Sequence, residues 1–529
     1  MKNIVKKLIF VVAITFFVTS CHDDLNLSPI DPDSFTQEDV FATANDAQGA
    51  LAKLYAGLTL TGQEGPAGQP DIADIDEGFS QFSRMLFNLN VLTTDEAVVG
   101  WGDPGLPDLH GMSWSSSNDF TEAMYSRLAQ EVSFSNSFIK NATLLNDNTD
   151  VQYYIAEARF LRAFAYYNLM DLYANVPLTS EISTDLPLQS NRTEIFAFVE
   201  SELLEIQDIL KPGGSNEYGR VDQVAAWALL SKLYLNAEVW INEAKYTECV
   251  TFSNYVINSS YSINTNDANG NGTAYDELFL ADNDTNGAQN EFIFALNFDG
   301  LQSQTWGGTT FLVHAAIPGG GPAGWDYADF GVNGGWGGIR TTKSLVEKFT
   351  SGDQRAMFHS DGQSLEIASI PPFKEGYAIT KFKNVDTNGN AGSDTGGDFV
   401  DTDLPLIRLA EIYLNYAEAS LRGGGGDLGL AASKINELRE RGYGSTAGNI
   451  TSGDLDLDFV LDERSRELYW EGQRRTDLVR YNYFTTNSYL WPFKGNVLNG
   501  TSVDQFRNIF PLPTNVLSTN TNLIQNTGY

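Results

Sequence analysis

The chain has 529 residues, 42% of them hydrophobic and 19% charged, with a formal net charge of −35. That composition is globular and long enough for one to three domains. The acidic balance argues against nucleic acid as a partner, since that demands a basic face. Two cysteines, Cys21 and Cys249, leave no disulfide framework and no cysteine-rich metal centre.

Lys2, Lys6 and Lys7 precede the apolar run Leu8–Val18. That run is too short to cross a bilayer as a helix and reads as a signal segment. Val18-Thr19-Ser20-Cys21 resembles a bacterial lipobox. Residues 1–20 are therefore expected to be removed and Cys21 to carry lipid. Each buried methylene would hold the protein to a membrane by about 0.8 kcal/mol. Asp23 and Asp24 follow, as in surface-exported lipoproteins. Residues 21–40, with Pro29 and Pro32, read as a lipid-anchored tether, and residues 41–529 as one domain. No later apolar run is long enough to span.

A helix is expected over Asn45–Leu58, with Leu51, Leu54 and Leu58 on one side. From Thr61 to Trp114, glycines and prolines break any long periodicity. Trp101 sits there between Gly100 and Gly102, followed by Asp103, poorly placed to be core. It is either a displayed ring or an anchor tucking its loop onto the body.

Gln152–Leu178 reads as the long helix around which the chain is organised. Tyr154, Ala158, Leu161, Ala165, Asn168 and Leu172 form one stripe. Ala156, Ala158, Ala163 and Ala165 allow close approach, and Pro177 is expected to end the element. Such a helix needs cover on several sides. Arg192–Leu210, Val221–Ile241 and Ala244–Asn258 supply further helices, of tetratricopeptide size without the strict consensus.

Asp267, Asn269, Asn271 and Gly272 begin like a calcium loop, but Leu278 stands where the bidentate glutamate is needed. Asp386, Asn388 and Asn390 fail likewise, with Gly397 at that place. Both read as solvated turns, and no metal is expected. Glu291–Leu296 and Phe311–His314 look like short strands. Trp306, Trp325 and Trp336 then lie among many glycines, which cannot build a core, so their rings are expected at the surface. Displayed rings suit sugars, whose C–H faces stack on aromatic planes.

Leu404–Leu421 and Ala431–Arg441 return to helix. Asp458–Glu471 is highly charged, with Glu463, Arg464 and Glu467 at helical spacing, and Arg474, Arg475, Asp477 and Arg480 following. This reads as an ion-pair network rather than a catalytic cluster. His22, His110, His314 and His359 have no ligand spacing, and no nucleophile elbow, phosphate loop or zinc-protease motif is present. No cofactor is expected.

The lipobox, the organising helix, LPLIRLAEIYLNYAEA (404–419), INELRERG (435–442), LDERSRELYWEGQRRTDLVRY (461–481) and IFPLPTNVLSTNTNLIQNTGY (509–529) together resemble the SusD/RagB family. TGQEGPAGQPDI (61–72), FLADND (279–284), WGGTTFLV (306–313) and LWPFKGNVLNGTSV (490–503) are similar to its starch-binding branch. The resemblance implies a mainly all-α body of four tetratricopeptide-like helix pairs carrying a loop-rich glycan-binding half. It implies a non-catalytic outer-membrane receptor that delivers glycan to a TonB-dependent, SusC-like transporter. It implies an arc of three rings following an α-1,4-glucan, at Trp101, Trp306 (a tyrosine in that branch) and Trp336. Arg84 would supply hydrogen bonds; where the branch has an asparagine this chain has Asp103 or Pro104, in a loop one residue shorter, and Asp103 is the residue expected to bond there. Pro492 replaces an acidic residue of the branch's calcium site. The competing readings are a β-glucan receptor, a glycosidase, which needs two carboxylates about 5–10 Å apart, and a helical scaffold that binds only protein.

Overall fold

The computed structural model describes residues 40–320 and 325–529. The signal segment, Cys21 and nearly all of the tether lie outside the described residues. The architecture is helical with short two-stranded pairs, as expected.

The principal helices in chain order are α1 (Ala44–Thr59), α2 (Phe82–Asn90), α3 (Asp119–Ala142), α4 (Thr149–Tyr173) and α5 (Arg192–Ile206). Next come α6 (Gln223–Leu235), α7 (Tyr246–Ile257), α8 (Gly308–Ala316) and α9 (Leu409–Ala419). Then follow α10 (Leu428–Tyr443), α11 (Leu457–Leu468) and α12 (Arg474–Arg480). The helices pack in succession: α3 on α4, α4 on α5, α5 on α6 and α6 on α7, then, across the intervening loops, α7 on α9, and α9 on α10 and α11. Each pair buries an apolar face that neither helix could cover alone.

The organising helix α4 is buried along most of its length. Asn148 caps its start by accepting the Asp150 and Val151 N–H groups. It ends at Tyr173, four residues before Pro177, because Ala174 turns into positive φ (60°). Distant donors take the carbonyls freed by that ending. Arg192 donates to Met170 O and Asp171 O, the Phe510 N–H to Leu172 O, and Asn526 to Tyr173 O. Val176–Pro177 instead pairs with Gln189–Ser190.

Two expected elements differ. Phe311–His314 lies in α8, not in a strand; a four-residue apolar run has no period that separates the two. Leu404–Arg408, expected as helix, is a fully buried strand paired antiparallel with Phe292–Leu296, and α9 begins only at Leu409. The helix α2 lies within the stretch expected to be irregular.

Glu463 and Glu467 on α11 are fully buried and bonded to arginines of several elements. Glu463 pairs with Arg355, Arg439 and Arg466, and Glu467 with Arg355, Arg408 and Arg441. The cluster is the ion-pair lock that its spacing suggests. In the expected solvated turn, the Asp267 carboxylate accepts the Asn271 and Gly272 N–H groups, and Leu278 is core.

Candidate functional site

Three loops converge above α8. The first follows the strand β1 (Val98–Val99), which pairs antiparallel with β2 (Ile339–Arg340). The Gly100 N–H extends this clasp to Gly338 O at 2.8 Å. Trp101 is thereby laid on Gly338, where an added Cβ would stand 2.2 Å from the indole. Only glycine fits beneath that ring.

The second loop, ending at β2, is zipped onto the C-terminal carbonyls of α8. The N–H groups of Trp336, Gly337 and Gly338 donate to His314 O, Ile317 O and Ala315 O at 2.7, 2.8 and 3.0 Å. These bonds satisfy carbonyls that the end of α8 would otherwise leave open. The third loop leads into α8 and carries Trp306. Arg84 on α2 donates to Trp306 O at 3.1 Å and to Gly78 O.

These bonds bring the three expected rings into one contiguous series. The centroids of Trp101 and Trp336 are 6.5 Å apart with planes at 44°. Those of Trp336 and Trp306 are 6.0 Å apart at 58°. Trp336 is the middle ring, and the Trp101 Nε1–H donates to its carbonyl at 3.3 Å. All three rings are half-buried. Phe399 backs Trp306 at 4.6 Å, and His314 lies nearly parallel to Trp336 at 4.9 Å and 14°. Neither Phe399 nor His314 carries a sequence signal that marks it as a support. Trp325 sits apart, against His359 and Phe330.

The Arg84 guanidinium lies over the Phe311 ring at 4.5 Å. Burial pushes its pKa down to about 10, opposed by the charges of Asp103 and Asp76, so it stays cationic at neutral pH. Asp103 itself is exposed. The result is a tilted aromatic surface with one cation and one acid at its margin. Rings this size stack on the apolar faces of sugars, and neighbouring polar groups fix orientation. Because neighbouring planes are tilted against each other, the platform presents a non-planar face.

Fold and site define a helical-repeat protein bearing an aromatic platform on loops. Comparison with known proteins carries this further. The model of the SusD family matches residues 371–529, and the model described as "Starch-binding associating with outer membrane" matches residues 72–235. The starch-binding protein SusD of Bacteroides thetaiotaomicron is 35% identical, over 97% of this chain and 96% of that protein. SusD-like protein P2 of Formosa agariphila is 24% identical, over 90% of each. The chain belongs to the SusD family. Among solved structures, surface glycan-binding protein A from Bacteroides fluxus superposes with a TM-score of 0.70. It is 21% identical, over 92% of this chain and all of that one. The surface glycan-binding protein A from Bacteroides thetaiotaomicron, solved in complex with laminarihexaose, gives 0.67 at 18% identity, over 91% and 99%. At those identities the structures speak for the fold alone. No described helix is long and apolar enough to cross a membrane.

Proposed function

We propose that this protein is a lipid-anchored, surface-exposed receptor of the outer membrane that binds starch and malto-oligosaccharides without cleaving them. Trp101, Trp336 and Trp306 form the stacking platform, and Arg84 and Asp103 offer hydrogen bonds at its edge. The bound chain passes to a TonB-dependent, SusC-like transporter. Residues 1–20 serve as the signal peptide, Cys21 as the lipidated N-terminus and residues 21–40 as the tether of the 41–529 domain.

The observation that carries the reading is the tilt of successive rings, 44° and then 58°. An α-1,4-glucan curves along its length and suits a non-planar aromatic face. The 35% identical relative named for starch binding supports the same ligand. A β-glucan is the second reading, since a tilted set of rings can stack on any neutral glucan.

The test is calorimetric titration of the protein, freed of residues 1–21, with maltoheptaose and with a β-1,3-glucan oligomer, while reducing ends are followed. Maltoheptaose heat that falls in Trp101→Ala, Trp306→Ala and Trp336→Ala, with no new reducing ends, is the expected result. Binding of the β-glucan alone sinks the starch assignment. New reducing ends sink the receptor reading in favour of a glycosidase.

A further inference from the structure

His314 stands directly behind the middle ring of the platform. It is buried, 1% exposed, and both of its ring nitrogens face main-chain carbonyls. Nδ1 lies 2.7 Å from Gly334 O and Nε2 lies 3.0 Å from Asp398 O. A carbonyl oxygen can only accept, and a neutral imidazole has only one N–H to give. Either neutral tautomer therefore sets a nitrogen lone pair against a carbonyl oxygen. The doubly protonated ring donates to both.

The two carbonyls belong to the loops that hold the platform. Gly334 is two residues before Trp336, against which the imidazole is stacked. Asp398 precedes Phe399, the ring that backs Trp306. Asn333 already ties the same two loops, donating to Asp398 Oδ1 at 2.7 Å and to Gly396 O at 2.8 Å. Among the described residues, the charge that acts on His314 is the Asp398 carboxylate, which favours the cation. The neighbouring Asp394 carboxylate is taken up by the N–H groups of Gly396, Asp398 and Phe399. Arg84 lies over Phe311, one turn earlier on α8.

We propose that His314 is a positioning residue whose second proton closes the Gly334 and Asp398 loops on one ring and so fixes Trp336 and Trp306 for the ligand. The proposal rests on the reading of these rings as the glycan platform. Burial holds the imidazole below its ordinary value of 6.5, against the pull of the two carbonyls and Asp398. Near neutral pH the ring is thus mostly uncharged and one of its two contacts is unfavourable. Acidification adds the missing donor. If glycan prefers the closed arrangement, binding takes up a proton, and affinity rises as pH falls through the titration of His314.

The experiment has two arms. In the ligand-free protein carrying 5-fluorotryptophan, the fluorine signal of Trp336, assigned with Trp336→Phe, is followed from pH 8 down through the titration of the His314 ring. Expected is a shift that tracks the His314 ring titration and disappears in His314→Gln. In the second arm, maltoheptaose affinity is measured over the same range. It should rise about threefold or more as pH falls through the His314 titration, in step with the bound protein holding the proton more tightly. It should be flat in His314→Gln and in His314→Phe, which keeps the stacked plate but has no donors. A Trp336 signal that ignores the titration, or a pH profile unchanged in both variants, overturns the proposal. If maltoheptaose binds at no pH, the starch reading falls, and the ligand-free arm decides the role of His314 alone.

Discussion

Removing the charge of Glu467 by Glu467→Gln tests whether the buried ion lock holds the helical body together. Glu467 is fully buried, with Arg408 Nη1 at 2.6 Å and Arg355 Nη1 at 3.0 Å, and it also accepts from Arg441. Burial alone would raise its carboxyl pKa. The three guanidiniums outweigh burial and hold it at about 2, against an ordinary 4.5. A gap of this size corresponds to about 3 kcal/mol at neutral pH. That agrees with the roughly 3–5 kcal/mol lost when one partner of a buried pair is removed. Denaturant unfolding should show the unfolding free energy of Glu467→Gln falling by that amount, through a lower midpoint at an unchanged slope. The sign with pH follows from the depressed value. The contribution is whole above pH 4.5 and disappears as pH falls toward 2, so the wild type should lose stability in that window and the variant should lose less. A variant within about 0.5 kcal/mol of wild type, the range of ordinary surface changes, or an identical acid profile, would refute the reasoning.

Three further outcomes are expected. Trp336→Ala removes the middle ring and should weaken maltoheptaose binding by about 1–3 kcal/mol, the range of a truncated interface aromatic, with a smaller loss for maltotriose; equal losses in titration calorimetry would count against a shared platform. Gly338→Ala forces a methyl group into the indole of Trp101 and should lower maltoheptaose affinity as Trp101→Ala does, with helical circular dichroism unchanged. Cys249 is buried between α7 and its neighbours, and loss of solvent pushes its thiol up to about 12. In the form without Cys21, a thiol reagent should therefore give no colour until denaturant is added.

The helices that carry most of the body were legible because their stripes and ends are written locally. Leu51, Leu54 and Leu58 mark α1, and the stripe from Tyr154 to Leu172 marks α4. Helix α3 went unread, although Asn118 caps it and Asp119 and Glu122 favour its first turn. Leu404–Arg408 could not be assigned from its own residues, since its partner Phe292–Leu296 lies more than a hundred residues away. The end of α4 was misplaced for the same kind of reason. Its last carbonyls are satisfied by Arg192, Phe510 and Asn526, which the local pattern around Pro177 does not reveal. Glycine-rich context singled out the tryptophans as surface rings, and family resemblance, not spacing, joined Trp101 to Trp306 and Trp336. Phe399 and His314 acquire their positions only when the loops converge.

The loops that carry the rings are fastened mainly by main-chain atoms. Gly100, Trp336, Gly337 and Gly338 give their N–H groups to Gly338, His314, Ile317 and Ala315 whatever side chain stands at 101 or 336. Side chains add to this fastening: the Trp101 indole donates to Trp336 O, Arg84 to Trp306 O, Arg340 to Gly338 O, and Asn333 to Gly396 O and Asp398 Oδ1. Changes of ring type at 101 or 336 therefore leave this main-chain fastening in place, while the buried partners of each ring, Phe311 and His314, feel the change. The path of these loops and the shape of their outer face thus rest largely on different atoms, main chain for the one and rings for the other. One helical frame can in this way carry outer faces of different relief on loops that keep the same course.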